Sequence, residues 1–148
     1  MFGRKKPEVL VVGAGPVGLF TALQLAKQGI RVEIIDKDWR TGAHSYALAL
    51  HPSSLRLFHD LGLLTEILDQ AYLVQSIGIY DMNERQAEVR ASDDSTYGLA
   101  AVLRQDVLEA LLEKSLKSHG VSVSWNHELS DLESLPDVNR VTIDQLVK

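Results

Sequence analysis

Three glycines with a fixed spacing are the first feature of this sequence that could do chemistry. Gly13, Gly15 and Gly18 form a G-x-G-x-x-G motif in the run GAGPVG. In a βαβ unit the first glycine makes the tight turn after the strand, the second lets a pyrophosphate approach the backbone, and the third lets the helix pack closely. The free N–H groups and positive dipole at the start of that helix then bind the anion. The motif alone is a weak signal, because it occurs by chance in many chains.

An acidic residue stands where a ribose ligand is expected. Asp36 ends the next apolar run, 23 positions after Gly13, near the spacing of about 20 residues expected for the acid that binds the adenosine ribose. Glu33 lies inside that run and is a poorer candidate, and Asp38 is a neighbouring alternative. An acid here also disfavours the 2′-phosphate of NADP. The fingerprint predicts a dinucleotide site but does not separate FAD from NAD.

The flanking segments have the pattern of the βαβ unit that such a motif requires. Val9–Val12 is a continuous apolar run, typical of a strand that is buried on both faces. Pro16 suits the first helical turn and Gly29 the C-terminal cap, so a helix is expected between them. Arg31–Asp36 is expected to be a second strand. Residues 7–36 are therefore interpreted as a Rossmann-like βαβ dinucleotide unit, whose expected size is about thirty residues.

The segment after this unit predicts short helices and then an antiparallel layer. Two helical patterns follow the apolar stretch Tyr46–Leu50, and Ser53 or Ser54 is expected to cap the first of them. Ser76–Asp81 and Gln86–Arg90 are expected to pair as a β-hairpin. This hairpin does not belong to a simple doubly wound pattern, so residues 76–102 are interpreted as the start of an inserted antiparallel β layer.

The chain then returns to a parallel α/β pattern. Residues 103–125 contain a helical stripe that ends at Gly120 and an alternating strand at Val121, Val123 and Trp125, which is expected to be the third parallel strand. The remainder is largely polar, with a short strand expected at Val141–Ile143. The predicted fold class is an α/β Rossmann-like dinucleotide-binding domain with a parallel sheet and an inserted antiparallel layer.

Composition excludes several other classes of protein. The chain has 148 residues, a net charge of −5 and no cysteine, so disulfides, thiolate nucleophiles and Cys-based metal sites are excluded and a nucleic-acid partner is not indicated. No catalytic residue and no metal site are predicted, because the remaining histidines lack the spacing of a metal site or of a Ser-His-Asp triad. These histidines are His44, His59, His119 and His127.

The N-terminus superficially resembles a secretory signal, since Arg4–Lys6 precedes the apolar run Val9–Val12. A signal sequence should stay apolar up to its cleavage site, whereas this run is broken by Gly13, Gly15 and Pro16. No segment approaches the roughly 18 apolar residues that would be needed to span a bilayer. A cytoplasmic protein without a transmembrane segment is therefore expected.

Three segments of the chain occur in a fixed order: Val9–Leu19 with Asp36-Lys37, Ala47–Leu55 leading to Leu61-Gly62-Leu63, and Arg104–Leu112. Together they resemble the FAD-dependent aromatic hydroxylases, the group A flavoprotein monooxygenases related to 4-hydroxybenzoate hydroxylase. The resemblance runs from about Glu8 to Trp125. The first segment is shared by many flavoproteins, while the other two are more specific. The resemblance implies that the dinucleotide is FAD.

The resemblance also implies which residues contact the cofactor. The family's arginine near the flavin ribityl chain and pyrophosphate maps onto Arg104, with Gln105 in that role if the register shifts by one. The guanidinium offers fork-shaped donors for such oxygens, and the alternative is a solvated residue at a helix start. The family usually has an arginine where this chain has Tyr46, and Arg40 or His51 are candidate substitutes. The predicted cofactor-binding residues are Gly13, Gly15, Pro16, Val17, Gly18, Asp36, Lys37, Arg104 and Gln105.

The activity implied by the resemblance is hydroxylation of a small aromatic substrate by oxygen and FAD, with NADH or NADPH as reductant. The family's further sheet over the substrate and its later Gly-Asp motif are not found before Lys148. Residues 1–148 are therefore expected to be an N-terminal fragment or a truncated relative, with exposed apolar surface that favours self-association. The alternatives are an NAD-binding dehydrogenase or reductase module and a non-catalytic remnant.

Overall fold

The structure of the chain is a computed structural model that describes residues 6–39, 46–92 and 95–147. It divides into two compact units, the first comprising Met1–His44 and Leu112–Lys148 and the second Ser45–Leu111. None of the helices within the described ranges is long and apolar enough to cross a membrane. In chain order the elements are β1 (Val9–Val12), α1 (Pro16–Lys27), β2 (Val32–Asp36), β3 (Ala47–Leu50), α2 (Pro52–Asp60), α3 (Leu64–Gln70), β4 (Tyr72–Val74), β5 (Ser76–Asp81), β6 (Glu84–Arg90), β7 (Ala100–Arg104), α4 (Gln105–Ser118), β8 (Val123–Trp125), β9 (His127–Ser134) and β10 (Asn139–Gln145).

A parallel sheet with the strand order β1-β2-β8 forms the centre of the first unit. Val11 pairs with Ile34, and Ile34 pairs in turn with Val123. Ile34 and its neighbour Ile35 are both buried, although successive side chains of a strand point to opposite faces. The central strand is therefore covered on both sides, which explains its continuous apolar sequence. The predicted Rossmann-like α/β class and the third parallel strand are confirmed.

Helix α1 connects the first two parallel strands and begins and ends where its sequence predicts. Pro16 occupies the first turn, where its missing N–H costs no hydrogen bond. Gly29, just past the C-terminal cap Gln28, has φ +77°, a conformation that glycine adopts without steric cost. Leu19 and Leu23 are fully buried and fix the face that α1 turns to the core.

An antiparallel hairpin of β9 and β10 completes the first unit. The predicted strand at Val141–Ile143 lies inside β10. The prediction was wrong in extent, because β10 has seven residues and a second strand, β9, precedes it. Both strands are mostly exposed, so the apolar alternation that marks a half-buried strand is weak in their sequences.

The second unit contains an antiparallel sheet with the strand order β3-β7-β4. Neither β4 nor β7 was expected as a strand. Ala101 and Leu103 alternate as the buried residues of β7, but this strand is short and merges directly into α4. The pairing with β3 and β4 is long-range and leaves no local signal. The predicted boundaries at 76–102 and 103–125 stay predictions.

The hairpin of β5 and β6 confirms the predicted pairing. Its turn residues Met82 and Asn83 have φ +43° and +68°, as expected for a two-residue type I′ turn. Strand β6 starts at Glu84, two positions earlier than predicted, because two residues rather than four connect it to β5.

The cap of α2 differs from the prediction. The N-cap residue is His51, whose Nδ1 accepts a hydrogen bond from the Ser53 N–H at 3.2 Å. Neither Ser53 nor Ser54 is therefore the cap. Pro52 fills the first helical position, so the helix starts two residues earlier than a cap at Ser53 implies and three earlier than a cap at Ser54.

Candidate cofactor site

The glycine turn lies at the carboxyl end of β1. Gly13 has φ +101° and donates its N–H to the Ile35 carbonyl at 2.8 Å, which holds the turn against β2. A Cβ on Gly18 would lie 1.9 Å from the Gly13 carbonyl oxygen, whereas a Cβ on Gly15 would meet nothing within 4 Å. The third glycine is thus needed for packing of α1, while the second leaves open space above the backbone.

The start of α1 has the features of an anion site. Gly15 is its N-cap and offers no side-chain acceptor, and the first helical turn contains no acidic residue. The first intrahelical acceptor is the Gly15 carbonyl, which receives the Leu19 N–H at 2.9 Å. The earlier N–H groups of a helix have no intrahelical partner and carry the positive end of its dipole. Val17 is 79% exposed beside them. The space next to Gly15, where a Cβ would meet nothing within 4 Å, suits a phosphate group at this helix start.

The Asp36 carboxylate is held at the end of β2 by two backbone donors. Oδ2 accepts the Ala14 N–H at 2.6 Å, and Oδ1 accepts the Asp38 N–H at 2.8 Å. Each carboxylate oxygen can accept two hydrogen bonds, so each keeps acceptor capacity for a ribose hydroxyl. Lys37 is exposed beside this carboxylate, and Trp125 is the register partner of Asp36 on β8.

Arg104 and Gln105 lie in the second unit, at the junction of β7 and α4. The Arg104 Nε and Nη2 donate to the two carboxylate oxygens of Asp106 at 3.0 and 2.5 Å. These hydrogen bonds lower the pKa of Asp106 and raise the pKa of Arg104 relative to their ordinary values. The Gln105 side chain donates to Glu109 at 2.8 Å, and its N–H donates to the Tyr46 carbonyl at 2.8 Å.

Some partners in this site escaped sequence reasoning. Asp106 lies two positions after Arg104, and this R-x-D spacing is the sequence signal that could have identified the pair. The backbone bond between Gln105 and Tyr46 had no local signal. Arg40, one candidate substitute for the family's arginine, lies outside the described residues. The other, His51, uses its ring as the cap of α2.

Two histidines and a cleft of the first unit lie away from the glycine turn. The His119 ring contacts the Ser115 carbonyl at 2.9 Å, and the His127 ring contacts the Trp125 carbonyl at 2.7 Å. A cleft of about 580 Å³ lies at the amino ends of β2 and β8, between Arg31 and Gly120. In open α/β sheets ligands bind at the carboxyl ends of the strands, so this cleft is on the wrong edge for a dinucleotide.

The parallel sheet, the glycine turn, the helix start and the acid after β2 together define a dinucleotide-binding domain of the Rossmann class. A family model described as "FAD binding domain" matches residues 6–145. The chain belongs to this FAD binding domain family. Family membership confirms FAD as the predicted cofactor and favours it over NAD.

Curated relatives and solved structures agree with this assignment. The chain is 32% identical to 6-methylpretetramide 4-monooxygenase of Streptomyces rimosus over 130 residues, which are 84% of this chain and 23% of that protein. It is 30% identical to para-nitrophenol 4-monooxygenase of Pseudomonas sp. strain WBC-3 over 141 residues, which are 92% of this chain and 34% of that protein. The resemblance to FAD-dependent aromatic hydroxylases is thereby confirmed.

The crystal structure of p-nitrophenol 4-monooxygenase from Pseudomonas putida DLL-E4 superposes with a TM-score of 0.83 and 27% identity, covering 90% of this chain and 35% of that one. A flavin-dependent monooxygenase solved with FAD and substrate shares the fold, with a TM-score of 0.77 at 21% identity, over 95% of this chain and 28% of that one. This chain therefore spans between about a quarter and a third of the length of the relatives that it matches.

Proposed function

We propose that the glycine turn and the start of α1 bind the pyrophosphate of FAD, and that Asp36 and Lys37 bind its adenosine half. The observation that carries the proposal is the open space above Gly15, where a Cβ would meet nothing within 4 Å. Gly13 shapes the turn, Pro16 starts the helix without an N–H, and Val17 and Gly18 offer backbone N–H groups to a phosphate oxygen.

The adenosine contact has a simple chemical basis. The two Asp36 oxygens retain acceptor capacity for the 2′- and 3′-hydroxyls of the ribose, and a carboxylate is a strong acceptor for such donors. The exposed Lys37 ammonium adds positive charge beside the bound dinucleotide.

The roles of Arg104 and Gln105 follow from the family resemblance. We assign them to the ribityl and pyrophosphate side of FAD. Asp106 holds two nitrogens of the Arg104 guanidinium, and the donors on its remaining edge stay available to oxygen acceptors, since a guanidinium carries five N–H donors. Gln105 is partly buried; its side-chain amide donates to Glu109, and its backbone N–H donates to the Tyr46 carbonyl.

When bound, FAD supplies the redox chemistry, and the protein supplies binding, orientation and electrostatics. The residues of the glycine turn, α1 and β2 supply this binding, orientation and electrostatic stabilisation. The helix start offers N–H groups and a partial positive charge to the pyrophosphate, and Asp36 orients the ribose. Leu19 of α1 and Ile34 of β2 are buried and pack the elements that carry these groups.

For the whole protein we propose an FAD-dependent monooxygenase that hydroxylates a small aromatic substrate with NADH or NADPH and oxygen in the cytoplasm. This proposal is supported by its relatives, which are named as monooxygenases or hydroxylases. One of them is a 3-(3-hydroxy-phenyl)propionate/3-hydroxycinnamic acid hydroxylase of Mycobacterium, which is 29% identical over 93% of this chain. For the chain on its own we propose self-association through exposed apolar surface.

The experiment that tests this function is a calorimetric titration of the purified chain with FAD and, separately, with NAD. Saturable binding of FAD that is tighter than that of NAD, with a flavin absorption band in the reconstituted protein, is the expected result. Tighter binding of NAD would point to a dehydrogenase or reductase module. Binding of neither ligand by a folded chain would point to a non-catalytic remnant, and both results contradict the proposal.

A further inference from the structure

The Asp36 carboxylate makes bonds that a ribose acceptor does not need. Its Oδ2 receives the Ala14 N–H at 2.6 Å, and Ala14 is the residue between the first two glycines of the turn. A hydrogen bond to an ionised acceptor is shorter and stronger than one between neutral groups. The side chain that is expected to face the ribose is therefore bonded directly to the phosphate-binding turn.

The hydrogen bond to Ala14 adds to a backbone bond and a close packing contact in the same turn. Gly13 adopts φ +101° and is held by one backbone bond to Ile35 at 2.8 Å. A glycine turn has wide conformational freedom that must be lost when it is ordered. Ala14 is only 2% exposed, so its N–H is shielded from water and would lose a partner if the carboxylate were absent.

The other oxygen fixes the carboxylate itself. Oδ1 accepts the Asp38 N–H at 2.8 Å, and the Asp38 carbonyl accepts the Asn126 N–H at 3.1 Å. The carboxylate is thus anchored through Asp38 to the chain that follows β8. A chain of hydrogen bonds thus connects Asn126, Asp38 and Asp36 to Ala14 in the glycine turn.

We propose that Asp36 is a positioning residue for the phosphate-binding turn, in addition to its ribose contact. This inference rests on the proposed function in one respect, namely that the turn positioned by Asp36 binds pyrophosphate. The hydrogen bond itself does not depend on that function. Loss of the Asp36 carboxylate is therefore expected to weaken the binding even of ligands that contain no ribose.

Inorganic pyrophosphate is the probe that separates the two roles. Replacement of Asp36 by Ala removes the acceptor of the Ala14 N–H together with a negative charge next to the anion, and the loss of charge alone would tighten pyrophosphate binding. Asn would keep an amide oxygen that can still accept the Ala14 N–H. If the turn loses its geometry, binding weakens instead, by about tenfold for one lost hydrogen bond to a charged group. Asp38→Asn is the matched control, because it removes the same charge two residues away and keeps both backbone bonds of residue 38.

Hydrogen exchange of the Ala14 amide tests the positioning role without any ligand. We expect it to be at least about tenfold faster in Asp36→Ala than in the wild type and in Asp38→Asn. In the wild type the Ala14 amide is expected to be protected from exchange although Ala14 lies outside any helix or strand, a result that needs no variant to fold.

Equal Ala14 exchange rates in wild type and Asp36→Ala, an unprotected Ala14 amide in the wild type, or unchanged or tighter pyrophosphate binding by Asp36→Ala would overturn the proposal. If the wild type binds no pyrophosphate, the proposed phosphate role of the turn fails, while the exchange data still decide whether Asp36 positions it.

Discussion

Replacement of Gly18 by alanine tests whether the turn and α1 are packed as closely as the structure shows. The added Cβ would lie 1.9 Å from the Gly13 carbonyl oxygen and 3.0 Å from its carbon. A contact of this kind must open by at least about 1 Å, and the neighbour is backbone tied to Ile35 rather than a flexible side chain. Forced overpacking costs about 1–3 kcal/mol, and we expect a loss of unfolding free energy at the upper end of that range.

Urea denaturation followed by far-ultraviolet circular dichroism measures this loss. Gly15→Ala is the matched control, since it adds the same methyl group three residues earlier. Gly15 has φ −72° and open space around its Cβ position, so alanine should leave the unfolding free energy within about 1 kcal/mol or raise it slightly. Equal midpoints for Gly18→Ala and wild type, or an equally large loss in Gly15→Ala, would refute the packing argument.

Three further predictions concern the second unit. Because hydrogen bonds from Arg104 lower the folded-state pKa of Asp106, their stabilisation is present at neutral pH and is lost as the pH falls through that lowered pKa. The Tm difference between wild type and Arg104→Gln should therefore be largest at pH 7 and shrink below about pH 4. Changing Met82-Asn83 to Asn-Gly should raise the unfolding free energy by about 0.5–1 kcal/mol, because both residues have positive φ; a destabilised hairpin in urea denaturation would contradict this. Ile77 is 50% exposed, so Ile77→Lys should reduce self-association in sedimentation velocity, whereas equal masses for both proteins would argue against this surface.

The βαβ unit could be predicted from sequence because its signals are local. An apolar run marks β1, and Pro16 and Gly29 mark the ends of α1. The β5–β6 hairpin, outside this unit, has a local signal of the same kind, because its Met82-Asn83 turn lies between two strand-like segments. By contrast, β4 and β7 are short strands whose pairing partners are distant in sequence. The exposed hairpin of β9 and β10 lacks an apolar face of clear period. The missed strands β4 and β7 thus depend on long-range pairing, and the β9–β10 hairpin was missed because its strands are mostly exposed.

For the candidate site, residue types could be predicted but their partners could not. The glycines and Asp36 follow from a motif whose spacing reflects the geometry of the turn. The bond from Ala14 to the Asp36 carboxylate joins residues 22 positions apart, and the backbone bond from Gln105 to the Tyr46 carbonyl joins residues 59 positions apart. Such contacts become visible only when the backbone is placed.

The central claim is that FAD binds over the glycine turn, and the most direct test compares FAD affinity in wild type and Gly15→Ala. Quenching of flavin fluorescence in a titration gives both dissociation constants, with urea midpoints as the check on folding. We expect saturable binding by the wild type and affinity at least about tenfold weaker in Gly15→Ala, because a Cβ would occupy the space that the pyrophosphate needs. Equal affinity in the two folded proteins, or no binding by the folded wild type, would contradict the account.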